Sequence, residues 1–355
     1  MINEQSIAFN NFITEKDYSI KEDTEILYLY FYDTTSATEY QLVGNKLEWR
    51  PIIWIEYEKE RLSTLKKLIL VSGNGKLDNF KVYLQRKFPA VVVESYVFDQ
   101  SRLMNIILSK QTINKNVIRN KSVFCSLGNM RLNRYILVRW CQDNNIEIAY
   151  DEISNDDKTY YDYQMSKVWR EPFITEFKNK SFKYFGTIPS SMFAKKLPDL
   201  LQQAFFYFAP TMPSDDMWTH RHDTKFFDAV RCSSIPFFIC EKDANKNGME
   251  HLGFKPYSGF NLSNESLVNP VERWVKILED NKEIFTDLKI SEEVYNQNKD
   301  VIKFNLDLLM NTNWPNFFQQ QFDALPNSVQ NEFEKTFNEL KQWYDKACTN
   351  STGFS

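Results

Sequence analysis

Glycine is scarce in this chain, 9 of 355 residues. Folds that cradle phosphate on glycine-rich loops need backbone that can approach a ligand closely, so the shortage counts against them. No G-x-G-x-x-G follows any apolar run, which removes nicotinamide and S-adenosylmethionine enzymes of that fingerprint. Cysteine is odd in number and dispersed, at Cys125, Cys141, Cys232, Cys240 and Cys348, with no C-x-x-C and no Cys/His zinc spacing. Buried free thiols in a reducing compartment are expected. The net charge of −4 supplies no field for a polyanion, so nucleic-acid binding would need a local basic face. No apolar run reaches the ~18 residues of a membrane span. The start, Met1-Ile2-Asn3-Glu4-Gln5-Ser6, has neither a basic nor an apolar leader region. The expected setting is cytoplasmic, without a membrane partner.

Aromatic residues are plentiful at 15%, with 29 phenylalanines, so a sizeable core can be filled. The length suggests about two domains of roughly 100–200 residues. Residues 1–22 are polar and mixed, and read as peripheral. Apolar runs at Ile26–Tyr32, Ile52–Tyr57, Leu65–Ser72 and Ala90–Phe98 read as strands, with a short helix over Asp78–Lys87. A second rhythm opens at Lys121, with a strand over Ser122–Ser126, a helix over Arg134–Gln142 and a strand over Ile146–Tyr150. Strand, loop, helix, strand is the rhythm of parallel sheets. The polar segment Gln111–Asn120 reads as a linker, and 151–181 as an insertion. Helices are expected over Pro270–Glu279, Glu292–Met310 and Pro326–Ala347, the last with Phe333, Phe337, Leu340 and Trp343 on one face.

The richest stretch is Phe182–Cys240. Ala204–Phe208 and Ile235–Ile239 are continuous apolar runs, as in strands of a parallel sheet buried on both faces. Between them lie a polar turn and a helix starting near Asp223. Its N-terminus would stand at the carboxyl edge of the sheet, where loose N–H groups and the helix dipole favour an anion.

Two segments here carry a family resemblance. Thr224-Lys-Phe-Phe-Asp-Ala-Val-Arg-Cys-Ser-Ser-Ile-Pro-Phe-Phe238 resembles the donor-site segment of fucosyltransferase-like and exostosin-like enzymes, although the acidic residue that usually precedes the lysine is Thr224 here. Ser122–Arg134 resembles the strand and Arg-bearing turn that open the donor domain in glycosyltransferase-like proteins of phages and large viruses, phage DNA glucosyltransferases among them. The resemblance spans roughly 121–310. It implies a GT-B-like α/β fold: two Rossmann-like domains facing a cleft, with a C-terminal helix crossing back to the first. The expected division is 1–120 on the acceptor side, 121–310 for the donor and 311–355 as a helical segment.

The implied reaction moves a sugar from a nucleotide sugar, a UDP-sugar, to a hydroxyl. The acceptor is left open between a hydroxymethylated pyrimidine in DNA and a glycan or small molecule. A non-catalytic or virion-associated binding protein is the other class. Such a transferase needs cations for the leaving diphosphate, an acceptor for the ribose hydroxyls and a base for the attacking hydroxyl. Arg131, Arg134 and Lys225 are the candidates for the diphosphate, and Asp228 is the candidate for the ribose. His220 and His222 stand at the rim. Two His at i, i+2 could hold a metal, but no third ligand is spaced to complete a site. Asp99, after the Val91–Phe98 run, is the candidate base, with helix capping as its other reading; Asp33 is a second choice. A basic run at Lys110, Lys115, Arg119 and Lys121 could face a DNA backbone or be a solvated linker.

Overall fold

A computed structural model describes residues 2–9, 19–31, 40–43, 46–73, 78–110, 117–127, 137, 140–141, 143–146, 148–152, 184–189, 198–210, 224–239, 244–247, 250–267 and 270–351. They group into two α/β units. Residues 2–108 and 313–351 form the first, and 109–210 and 224–312 the second. The first division thus falls ahead of the segment 111–120, and the last helices group with the first unit.

The first unit is built on four parallel strands in the order β1 (Glu4–Phe9), β2 (Ile26–Phe31), β5 (Lys67–Ser72) and β6 (Val92–Val97). A separate antiparallel hairpin, β3 (Tyr40–Val43) and β4 (Lys46–Trp49), comes between β2 and β5 in the chain. The N-terminal residues are therefore not peripheral: Glu4 pairs with Ile26 and Phe9 with Phe31. Its polar sequence fits a strand that, among the described strands, pairs on one side only. A second correction concerns Ile52–Tyr57, which is helical, within α1 (Arg50–Tyr57). Its apolar run Ile52-Ile-Trp-Ile55 resembles a strand, but Pro51 fits a first helical turn, where the missing N–H costs nothing. Helices α2 (Lys59–Thr64), α3 (Asp78–Lys87) and α4 (Gln100–Ser109) follow.

The chain returns to this unit through α11 (Trp314–Asp323) and α12 (Asn327–Ser351). Phe98, at the carboxyl end of β6, is the anchor: its ring lies 5.3 Å from Phe322, 5.5 Å from Phe333 and 4.9 Å from Phe337. Along α12 the buried stripe is Phe333, Phe337, Leu340 and Tyr344, whereas Trp343 is 46% exposed. The 4-3-4 spacing puts Tyr344, not Trp343, over the core.

The second unit has five parallel strands: β7 (Lys121–Leu127), β8 (Ile148–Glu152), β9 (Tyr184–Pro189), β10 (Ala204–Pro210) and β11 (Ile235–Ile239). Their spatial order is β11-β10-β7-β8-β9. The two apolar runs expected as strands are parallel neighbours, Phe206 opposite Ile235. Helices α5 (Thr224–Arg231), α6 (Ala244–Asn247), α7 (Pro270–Asp280), α8 (Lys282–Thr286), α9 (Leu288–Gln297) and α10 (Lys299–Asn311) complete it. Glu292–Met310 is thus not one helix but two, broken at Asn298. Phe285 knits the core, its ring 4.8 Å from both Phe208 and Phe237. Cys125, Cys141 and Cys232 are buried and free. Burial pushes the Cys141 thiol well up and the Cys232 thiol up to about 12. Among the described helices, none is long and apolar enough to cross a membrane.

Two devices hold this unit. The first is at the amino edge of the sheet, where Arg119 donates to the carbonyls of Gln202 (2.9 Å), Ala204, Cys232 (2.7 Å) and Ser233 (2.8 Å), and to Ser234 Oγ (3.0 Å). Its guanidinium lies 4.9 Å over the Tyr295 ring, and the Tyr295 hydroxyl donates to the Ser233 carbonyl. These carbonyls end α5 in a Schellman turn: the Ser234 N–H donates to Ala229 and the Ser233 N–H to Val230. Ser233 sits there at φ 55°, a left-handed conformation that costs an L-residue about 1–2 kcal/mol. Ser233→Gly is expected to stabilise the protein by up to about 1 kcal/mol, read as a raised urea midpoint at unchanged slope. A lower midpoint would show that the Ser233 side chain matters.

The second device fastens the extended segment 253–262. Three buried asparagines each pair both backbone groups of one residue. Asn305 takes the N–H and C=O of Lys255, Asn298 those of Ser258, and Asn281 those of Asn261, all at 2.7–2.9 Å. The fastened residues are three apart and exposed, while Phe254, Tyr257 and Phe260 beside them turn toward the core. Gly259 permits the close approach: it has φ +92°, and a Cβ there would lie 3.1 Å from Val294 Cγ1.

Candidate functional site

Strand order marks a candidate edge. In the second sheet the chain starts at β7, runs outward through β8 and β9, then returns to the other side of β7 as β10 and β11. The order reverses between β7 and β10, and open parallel sheets bind ligands outside the carboxyl ends of the strands at such a reversal. The described strands of the first sheet follow chain order and contain no reversal. Within the second unit, β7 ends at Leu127 and β10 at Pro210. The connections that leave these two ends carry Arg131 and Arg134 after β7, and His220 and His222 after β10. Those four residues lie outside the described residues, as do Asp33 and Lys115.

Helix α5 follows the second connection and brings its first turn to the same edge. Its sequence sorts cleanly by face. Phe226, Phe227, Ala229 and Val230 are buried, while Lys225 and Asp228 are half-buried. Phe226 and Phe227 pack on Phe254 at 5.0 and 6.2 Å, so the strap backs the first turn. The two predicted site residues of this helix do share a face at i, i+3. The Asp228 carboxylate lies 3.3 Å from Arg231 Nε, one turn further on, so it is set between this cation and the site edge. A small pocket beside the helix is lined by Phe226, Phe238, Asn245, Lys255 and Tyr257. Its volume of about 10 Å³ admits roughly one water molecule.

Asp99 stands where its sequence position implies, after β6 at the carboxyl end of the first sheet. It is 4% exposed. One oxygen accepts the Arg102 N–H at 3.1 Å, capping α4, and the other lies 2.9 Å from Arg102 Nη1. The capping reading of Asp99 is therefore realised in the structure. Two members of the basic run are engaged within the fold: Lys110 is 3% exposed and donates to the Met310 carbonyl, and Arg119 is spent on the sheet edge. Neither can serve as a backbone-facing cation, which corrects the DNA-facing reading of those two residues. Among the described residues, no group of three or more His, Cys, Asp or Glu side chains could hold a metal.

Sequence reasoning missed Arg102, whose pairing with Asp99 is signalled only by an i, i+3 spacing. It also missed the strap behind α5, which left no local pattern.

No protein-family model and no curated protein sequence matches the chain. Among solved structures, it is similar to T4 phage BGT in complex with its UDP-glucose substrate, at 13% identity and a TM-score of 0.33, over 81% of this chain and 74% of that one. It is also similar to an alpha-glucosyltransferase in complex with UDP-glucose and DNA containing an abasic site. That match has 11% identity and a TM-score of 0.38, over 85% of this chain and 80% of that one.

Proposed function

We propose that the protein is a glycosyltransferase that takes a sugar from a nucleotide sugar, a UDP-sugar, and transfers it to a hydroxyl acceptor. The observation that carries this reading is the strand-order reversal between β7 and β10, from whose carboxyl ends the Arg131/Arg134 and His220/His222 connections depart. A diphosphate suits this edge because the first turn of α5 offers N–H groups and Lys225 adds a point charge. Asp228, half-buried on the same face, is the proposed ribose partner. Arg131 and Arg134 take the leaving diphosphate, and His220 and His222 border the sugar.

The test is binding and turnover with UDP-, GDP- and other nucleotide sugars, followed by thermal shift and donor hydrolysis. A UDP-sugar is expected to raise the melting temperature. Lys225→Ala should weaken binding about tenfold, the loss of one charge-assisted contact worth roughly 1.5 kcal/mol. No shift with any nucleotide sugar would sink the reading. Hydroxymethylated DNA and oligosaccharides, offered in parallel, identify the acceptor.

The base is proposed to be Asp99, at the carboxyl end of the first sheet. Asp99→Asn preserves the cap, since asparagine caps as well as aspartate, but cannot accept the proton. Turnover should fall by about 10²–10⁴-fold in a variant that still shows the native circular dichroism spectrum. A fall of less than tenfold would leave Asp99 as a capping residue only.

A further inference from the structure

The cap of α4 holds more than a helix start requires. Asp287 and Asn313 cap α9 and α11 through one side-chain oxygen each, accepting from the N–H groups of Lys289 and Ile290 and from that of Asn316. That is the ordinary arrangement at a first turn. Asp99 matches it with Oδ1, which accepts the Arg102 N–H at 3.1 Å. Its Oδ2 is met in addition by Arg102 Nη1 at 2.9 Å. One residue thus grips both oxygens, by its backbone and by its guanidinium, and both partners are buried.

A buried ion pair is weak evidence for stability, because withdrawing two charges from water costs about what their attraction returns. The cap itself needs only Oδ1. What the guanidinium adds is direction: it fixes the plane of the carboxylate, as the third group of a catalytic set orients its base. Phe98, packed on Phe322, Phe333 and Phe337, fixes the backbone just before it.

We propose that Arg102 is the positioning residue for the base, a role that rests on the reading of Asp99 as that base. In the transfer step the acceptor's hydroxyl proton passes to the Asp99 carboxylate, and the oxygen's electron pair bonds the anomeric carbon of the sugar. The bond from that carbon to the diphosphate breaks, its electrons leaving on the phosphate. A carboxylate turned out of line slows this step without weakening the hold on the donor.

The experiment is steady-state hydrolysis of a UDP-sugar, chosen from the panel above by its melting shift, with water in place of the acceptor hydroxyl. Arg102→Gln keeps the backbone N–H that Asp99 accepts and removes the guanidinium. Its kcat should fall roughly 10–100-fold, the cost of a misplaced group, with the KM for the donor unchanged. Arg102→Lys should recover part of the loss, since an ammonium keeps the charge but not the planar fork. Asp99→Asn/Arg102→Gln should be no slower than Asp99→Asn alone, because a residue that acts through the base adds nothing once the base is gone. Losses that multiply in the double variant would overturn the inference. So would a raised KM at unchanged kcat, or wild-type kcat in Arg102→Gln. Should Arg102→Gln fail to fold, Arg102→Lys decides: a lowered kcat at unchanged KM supports the role, and wild-type kcat overturns it. A fall below about tenfold in Asp99→Asn alone would remove the base itself, an outcome told apart from the others because it leaves Arg102 untouched.

Discussion

Arg119→Met should destabilise the protein by about 2–3 kcal/mol, the range for removing a charged donor from a part-buried, multiply bonded site. Two nitrogens of this guanidinium serve five acceptors drawn from the starts of β10 and β11 and the end of α5. Without it, the carbonyls of Gln202, Ala204, Cys232 and Ser233 converge with one donor fewer for each. Methionine keeps much of the volume and the contact with Tyr295, so the loss reports the hydrogen bonds more than a cavity. Arg119→Lys should recover less than half of it, because an ammonium cannot fork across acceptors on both sides. Urea unfolding checks both, as a lowered midpoint at constant slope. A loss below about 1 kcal/mol for Arg119→Met would mean that water replaces the guanidinium.

The second large effect is expected at Asn298. Its amide donates to Ser258 and Val294 and accepts from Ser258 N–H, and the residue is fully buried. Asn298→Ala leaves both backbone groups of Ser258 without their partners, at about 1–3 kcal/mol for each group. A total near 4 kcal/mol follows. Asn298→Asp is no rescue, since it keeps the acceptor but sets a carboxylate against two carbonyls. Asn305→Ala should cost a similar amount. The double variant should cost less than the sum, because either change frees the same strap. Strict additivity would show that the two fastenings are independent. Because the strap packs on Phe226 and Phe227, the Asn298 variant should also weaken donor binding if the α5 edge is the donor site. Binding that stays at the wild-type level while stability falls would detach the strap from that site.

Parts of the site were legible because they rest on local pattern. The Lys225–Asp228 pair needs only a helical period, and Thr224-Lys-Phe-Phe-Asp-Ala-Val-Arg231 alternates faces clearly enough to give it. Asp99 could be placed after a strand from the run Val91–Phe98, but its partner Arg102 and its burial depend on how α4 sits. The basic run shows the opposite failure. Lys110 and Arg119 look like surface cations in sequence, and composition cannot tell a solvated charge from one enclosed by carbonyls brought from 83 to 200 residues away.

What the sequence by itself determined is the material of the parallel sheets. Continuous apolar runs such as Ala204–Phe208 and Ile235–Ile239 can be buried on both faces and little else, and the low glycine count already counted against glycine-rich phosphate loops. Only the tertiary structure decided the order of the strands, and with it the reversal between β7 and β10 that selects one edge as the candidate site. Strand order is set by which crossovers pack, a matter of long-range contacts that no window of residues encodes. For the same reason the asparagines at 281, 298 and 305 look like ordinary helical or helix-end residues in the chain. They acquire their role when the strap of 253–262 is laid across them.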